Sequence, residues 1–229
     1  MTEEMGHFLR YSEKRRMQLI SRMVPKTGIS RLLDVGCGTA ELSENLFNRG
    51  LNVIALDLGF DSIKRASMKL RNKNLDFPFV QGDIYRLPYE DNSFDAVVAS
   101  EILEHLEKPQ DALGEVARIV RPGGYFIVST PYCERLRFTL CIHCNKKTPV
   151  NAHLHSFDDK IMENMLKEAG FSIEKKIKYG SKHGENLGIP GFTFFLLHVI
   201  WRFMDAFLCG LLGKQSFMVI RARRLTIDK

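Results

Sequence analysis

The sequence predicts an α/β fold: a doubly wound, mostly parallel sheet with helices on both faces. Three observations carry that expectation. Strand-like and helix-like signals alternate between residues 30 and 130, an order that builds a parallel sheet. The first apolar run, Ser30–Val35, ends in Gly36-Cys37-Gly38, a strand-to-helix turn. After residue 131 the alternation stops, and two strand-like runs at 171–178 and 216–222 suggest an antiparallel hairpin at the sheet edge.

The elements follow in order. Phe8, Tyr11, Met17, Ile20 and Val24 recur at roughly helical spacing, so residues 7–24 read as an amphipathic leading helix ended by Pro25 and Gly28. Thr39–Arg49 is helical and closed by Gly50. Asn52–Leu56 is a strand ending in Asp57, and residues 60–71 are a helix. Phe77–Gln81 is a strand ending at Gly82-Asp83, and Phe94–Ser100 is another. Residues 107–120 form a helix closed by Pro122-Gly123-Gly124, before the strand Tyr125–Thr130, which Pro131 stops. A cysteine- and histidine-bearing loop then covers about 131–156. A helix at 157–169 precedes the strand at 171–178, and an apolar helical insertion spans about 186–213.

At 229 residues the chain fits one α/β domain over 1–229. The net charge is +6, which suits acidic partners or a solvated basic surface, and no block of like charge dominates. Five cysteines, an odd number, argue against a disulfide framework. Met1–Arg10 is polar and lacks a signal peptide's apolar core. The expected compartment is the reducing cytosol, or a membrane surface reached from it.

Leu32-Leu33-Asp34-Val35-Gly36-Cys37-Gly38-Thr39-Ala40 carries most of the functional information. Glycines at such a turn let the backbone approach a ligand, and ligands of open α/β sheets sit at the carboxyl ends of the strands. Asp57, at the end of the second strand, is placed to accept hydrogen bonds from a sugar's hydroxyls. A dinucleotide fingerprint wants glycine at its sixth position; counting from Gly36, that position is Glu41, which would repel a pyrophosphate. Asp34 instead suits a ligand carrying cationic groups, such as the ammonium and sulfonium of S-adenosylmethionine.

The run Leu-Asp-Val-Gly-Cys-Gly-Thr resembles the first motif of class I S-adenosylmethionine-dependent methyltransferases. Ala55-Leu56-Asp57, Gln81-Gly82-Asp83-Ile84, Phe94-Asp95-Ala96-Val97-Val98-Ala99-Ser100 and Arg121-Pro122-Gly123-Gly124 resemble the later motifs in order and spacing, over residues 30–130. The resemblance, to the methyltransferase type 11 and ubiquinone-pathway groups, implies a Rossmann-like, seven-stranded sheet, mostly parallel with an antiparallel last strand. It implies that Gly36, Cys37 and Gly38 line the methionine moiety and sugar, that Asp57 binds the ribose and that Leu58 lies against the adenine. Asp83 and Ile84 would meet the adenine edge, and Ser100 the methionine end. Ala40 departs from the family's usual third glycine; its methyl is expected to be tolerated because the next turn is already helical.

Glu101-Ile102-Leu103-Glu104-His105 follows the fourth strand. If helical, it brings Glu101, Glu104 and His105 to one face, where they can hold a divalent ion or where His105 can act as a base. This run resembles the metal-binding motif of ubiquinone-pathway O-methyltransferases and of small-RNA 3′-end 2′-O-methyltransferases. Cys141 and Cys144, with His153 and His155, have the spacing of a zinc site. The alternatives are buried thiols with surface histidines, or recruitment of His153 or His155 to the Glu101/Glu104/His105 cluster. In the apolar insertion, His198, Arg202 and Asp205 form one polar stripe. Arg202 and Asp205 argue against a membrane span and leave an interfacial helix, a lid over an apolar acceptor, a dimer contact or a buried helix.

The sequence thus reads as a cytosolic or membrane-peripheral methyltransferase acting on a small or lipid-like molecule at oxygen, with His105 and Glu101 catalytic and S-adenosylmethionine as cofactor. Zinc, or another divalent metal, is the second cofactor under consideration. RNA 2′-O-methylation is the rival among enzymes, and a cofactor-binding protein without catalysis is the rival outside them.

Overall fold

The computed structural model describes residues 2–180, 200, 203, 207 and 215–226, with the side chains of residues 2–12 set aside. Helix α1 spans Thr2–Met23. The strands β1 (Leu32–Val35), β2 (Val53–Asp57) and β3 (Phe79–Gln81) alternate with helices α2 (Glu41–Phe47) and α3 (Phe60–Arg71). Strand β4 (Phe94–Ser100) leads through a single 3₁₀ turn, Leu103–His105, to α4 (Pro109–Ile119) and β5 (Val120–Pro131). Strands β6 (Phe138–Leu140) and β7 (Lys147–Pro149) pair with each other, so the expected Cys/His loop contains a hairpin. Helix α5 (Asp159–Glu168), β8 (Phe171–Tyr179) and β9 (Phe217–Arg224) complete the order.

The main sheet has seven strands in the order β3-β2-β1-β4-β5-β9-β8. β9 runs antiparallel to both of its neighbours, and the other pairings are parallel. The expected mostly parallel sheet with an antiparallel last strand is the observed one. Its order reverses between β1 and β4, and ligands of such sheets bind at that crevice.

Both faces are apolar because successive strand residues point to opposite sides. Leu32, Ala96 and Val98 pack with Leu19, Ile20, Leu42 and Leu46 from α1 and α2. Leu33, Val97 and Ala99 pack with Leu113 and Val116 of α4 and Met162 and Leu166 of α5. Full burial of one such aliphatic side chain is worth roughly 1.5–3 kcal/mol. Local signals set the helix starts: Pro109 occupies the first turn of α4, and the Asp158 carboxylate caps α5 by accepting from the Ile161 amide at 2.8 Å.

The apolar insertion at about 186–213 lies outside the described residues, apart from Ile200, Phe203 and Phe207, which are helical and exposed. Among the described residues no helix is long and apolar enough to cross a membrane.

Candidate functional site

The turn after β1 is held across β2. The amides of Gly36 and Cys37 both donate to the Leu56 carbonyl, at 2.7 and 3.0 Å. The Gly38 amide donates to Asp57 Oδ2 at 2.8 Å, and the Gly59 amide donates to Asp57 Oδ1 at 2.8 Å. One carboxylate thus organises two turns. Gly36 and Gly38 have φ of 71° and 51°, the left-handed region where a side chain is strained.

The two glycines answer different demands. A Cβ on Gly36 would stand 2.2 Å from Ile102 Cδ1, whereas a Cβ on Gly38 would meet nothing within 4 Å. Gly36 is therefore required by packing. The open side at Gly38 is space that a ligand can enter. Ala40 also differs from expectation. It precedes α2 in the left-handed conformation, with φ 57° and ψ 26°, so its methyl is accommodated in a strained cap rather than in a helical turn.

Asp34 is 1% exposed and accepts from Ser43 Oγ of α2 at 2.5 Å. Burial, aided by the nearby charge of Asp57 and opposed by the Ser43 hydroxyl, lifts its carboxyl to about 7. Burial, with the charges of Asp34 and Asp57 adding to it, pushes the Cys37 thiol far up, so Cys37 is a neutral lining group. Leu58 is 68% exposed beside Asp57, an apolar surface available to a flat ring. Ile84 is buried, and Asp83 is an exposed turn residue whose Oδ1 accepts from the Tyr85 amide at 3.0 Å.

The end of β4 differs from the sequence expectation. Glu101 has φ 56° and is not helical, and the helix is reduced to the 3₁₀ turn Leu103–His105. Glu101 instead turns toward β5. Ser129 Oγ donates to Glu101 Oε1 at 2.8 Å and lies 3.1 Å from Ser100 Oγ. Arg16 of α1 stands 3.5 Å from the other Glu101 oxygen. Burial raises the Glu101 pKa, against the pull of Arg16 and the Ser129 hydroxyl. Arg16 is a site residue that the sequence did not disclose, because the leading helix looked merely amphipathic.

Glu104 is 1% exposed, and its Oε2 has no hydrogen-bond partner. Burial first, then the charge of Glu101, pushes its carboxyl to about 8. Its backbone carbonyl accepts from the amides of Leu154 and His155 at 2.7 and 3.3 Å, which brings the segment after β7 over the 3₁₀ turn. His105 Nδ1 lies 3.1 Å from the Ala152 carbonyl. A carbonyl only accepts, so the neutral ring carries its proton on Nδ1 and leaves Nε2 with a lone pair. Burial holds the His105 pKa below the ordinary histidine value. The rings of His105 and His153 are 4.8 Å apart, and His153 Nδ1 pairs with Glu134.

Among the described residues, Glu104, His105 and His153 form the one group of three whose metal-ligating atoms all lie within 4.8 Å of one another. The fold does not assemble the expected zinc quartet. Cys141 and Cys144 stand at the tip of the β6–β7 hairpin, and the register Phe138↔Pro149, Thr139↔Thr148, Leu140↔Lys147 fixes them there. His153, beyond the hairpin base, joins the carboxylate cluster. His155 packs its ring 6.0 Å from Phe157 instead.

Comparison with known proteins agrees with this geometry. Residues 33–128 match a family model described as a methyltransferase domain. The chain is 39% identical over 99 residues to a demethylmenaquinone methyltransferase of Renibacterium salmoninarum, covering 43% of this chain and 40% of that protein. It is 29% identical over 168 residues to a ubiquinone biosynthesis O-methyltransferase of Thiobacillus denitrificans, covering 70% of this chain and 72% of that protein. Among solved structures, the [4+2]-cyclase SpnF superimposes with a TM-score of 0.68 at 21% identity, over 93% of this chain and 81% of that one, a likeness of fold alone. The turn after β1 and the acids at the ends of β2 and β3 lie inside the matched stretch, and residues 33–128 are those of a class I S-adenosylmethionine-dependent methyltransferase domain.

Proposed function

We propose that the protein transfers the methyl group of S-adenosylmethionine to an oxygen of a small or lipid-like acceptor, with His105 as general base. The observation that carries this reading is the adjacency, at the carboxyl ends of the neighbouring strands β1, β2 and β4, of the open turn at Gly38 with Asp57 and the polar end of β4 with Glu101 and His105. Asp57 would exchange an amide partner for the ribose hydroxyls, Leu58 would cover the adenine, and Asp83 and Ile84 would meet its edge. Cys37 and Ser100 would border the methionine end.

The chemistry is an in-line displacement. His105 Nε2 would take the proton of the acceptor hydroxyl, and S-adenosylmethionine, when bound, would supply the activated methyl group and leave as a neutral thioether. The sulfonium is already activated, so the protein supplies chiefly alignment and exclusion of water. A base contributes about 10²–10⁴-fold. Glu101, tied to Ser129 and Arg16, would orient the acceptor beside the methyl. The names of the two relatives above, a demethylmenaquinone methyltransferase and a ubiquinone biosynthesis O-methyltransferase, support a small or lipid-like acceptor.

Glu104, His105 and His153 favour a second reading. Two imidazoles converge with a buried carboxylate oxygen that lacks a partner, and this donor set fits a divalent cation. Such an ion would lower the acceptor hydroxyl's pKa, doing the base's work.

The test is incubation with methyl-labelled cofactor and a whole-cell extract that supplies both lipids and RNA. Label in the organic-soluble product, lost in His105→Ala, supports the proposal. Label in RNA favours the RNA 2′-O-methylation reading, and transfer to neither favours a binding protein.

A further inference from the structure

The β6–β7 hairpin holds apolar side chains in solvent. Residues directly opposite in an antiparallel pair share a face, so the register Phe138↔Pro149 and Leu140↔Lys147 puts these four residues on one side of the hairpin. Phe138 and Leu140 are each 56% exposed, and Ile142, in the turn, is 92% exposed. None of the three belongs to the apolar clusters that pack the sheet.

The charge around them is of one sign. Residues 135–157 carry Arg135, Arg137, Lys146 and Lys147 and no carboxylate, and all four cations are exposed. The acids that bracket the segment are engaged elsewhere: Glu134 pairs with His153, and Asp158 caps α5. An apolar ridge ringed by cations is matched by anionic headgroups above hydrocarbon. Such a surface attracts the cations within a Debye length and removes Phe138, Leu140 and Ile142 from water. Lys147, on the apolar side, can lay its methylenes along the hydrocarbon and keep its ammonium at the headgroups. A nucleic acid would satisfy the cations alone, because Leu140 and Ile142 offer no ring on which a base could stack. A second copy of the hairpin would bring like charges together.

We propose that the β6–β7 hairpin docks the protein on an anionic lipid surface, with Phe138, Leu140 and Ile142 entering the apolar boundary and Arg135, Arg137, Lys146 and Lys147 at the headgroups. The base of the hairpin is tied to the end of β4. The Val150 amide donates to the Arg137 carbonyl at 2.8 Å, and the amides of Leu154 and His155 then donate to the Glu104 carbonyl. A chain docked in this way holds the candidate acceptor end of the site near the lipid. The docking goes beyond the methyl-transfer reading and does not require it.

The test is flotation of the full chain, without cofactor or acceptor, with two kinds of vesicle: phosphatidylcholine alone, and phosphatidylcholine mixed with phosphatidylglycerol. The proposal expects binding to the mixed vesicles that weakens as salt is raised, and little binding to the neutral ones. Lys146→Gln combined with Lys147→Gln should weaken binding roughly tenfold or more. Leu140→Ser and Ile142→Asp should each weaken it roughly tenfold. Unfolding midpoints of these variants should stay near that of the wild type, because the substituted side chains are exposed. Absence of binding, equal binding to both vesicles, or binding that the variants leave intact would each overturn the proposal. In the last case the contact would pass to the exposed helical residues Ile200, Phe203 and Phe207. Capture of an RNA homopolymer with no vesicle binding would overturn it in favour of a nucleic-acid partner. No methyl donor is present, so either result leaves the methyl-transfer reading to the labelling assay.

Discussion

The amide of Gly38 donates to Asp57 Oδ2 at 2.8 Å, joining the turn after β1 to the end of β2. A second amide, from Gly59, occupies the other oxygen. The carboxylate therefore shapes the rim of the candidate site before any ligand arrives, and in the proposed complex it would exchange one of these amides for the sugar hydroxyls. Asp57→Ala should weaken S-adenosylhomocysteine binding by roughly 10²-fold, the loss of one to two hydrogen bonds to a charged group. Calorimetry reads this directly; an unchanged Kd would remove Asp57 from the site.

The two glycines of the turn should fail in different ways. Gly36→Ala drives a methyl into Ile102, 2.2 Å away, and strains the backbone, so it should lower stability by roughly 2–4 kcal/mol. Ile102→Ala in the same chain should restore part of that loss. Gly38→Ala meets no neighbour and should lower stability by only about 1 kcal/mol, yet weaken cofactor binding about tenfold or more. Denaturation midpoints and titrations on the same samples separate the two.

Asp34 makes stability depend on pH. Its folded carboxyl sits at about 7 against 3.8 for an ordinary aspartate. The folded state therefore holds the proton more tightly. This contribution is fully present below pH 3.8 and is lost as pH rises toward 7, with a slope of at most about 1.4 kcal/mol per pH unit. Glu104, lifted to about 8, acts in the same direction. Asp34→Asn should flatten, without abolishing, the fall in urea midpoint between pH 5 and 8. An unaltered profile would mean that the Asp34 carboxyl is not raised.

His105 is expected to be neutral and ready to accept a proton at pH 7, because burial lowers its pKa. The acid limb of the kcat profile should lie below the pH at which an ordinary histidine titrates. His105→Ala should lower kcat by about 10²–10⁴-fold with little change in cofactor Kd. The base reading expects activity to survive a chelator; loss on chelation, restored by a divalent ion, would transfer the proton-removing role to the Glu104–His105–His153 group.

The turn after β1 and the strand ends of the candidate cofactor side were legible because their signals are local. Gly36 and Gly38 mark a turn, and Asp57 and Asp83 mark strand ends, whatever the rest of the chain does. The acceptor side depends on distant contacts. Spacing put Glu101 on a helix with Glu104 and His105, but its backbone turns left-handed to reach Ser129 and Arg16. Spacing likewise joined Cys141 and Cys144 to His153, but strand pairing from Phe138 to Pro149 carries the thiols out to a tip. His153 meets His105 because Glu104's carbonyl holds the returning chain, a backbone contact without a sequence pattern.

The central claim is a pocket at Gly38 and Asp57 that accepts a sulfonium nucleoside. Calorimetric titration of the wild-type chain with S-adenosylmethionine and S-adenosylhomocysteine tests it most directly. The account predicts saturable one-to-one binding of both that Asp57→Ala weakens, and no competition from a nicotinamide dinucleotide. Dinucleotide binding at this site, with no heat from either sulfur nucleoside, would contradict it.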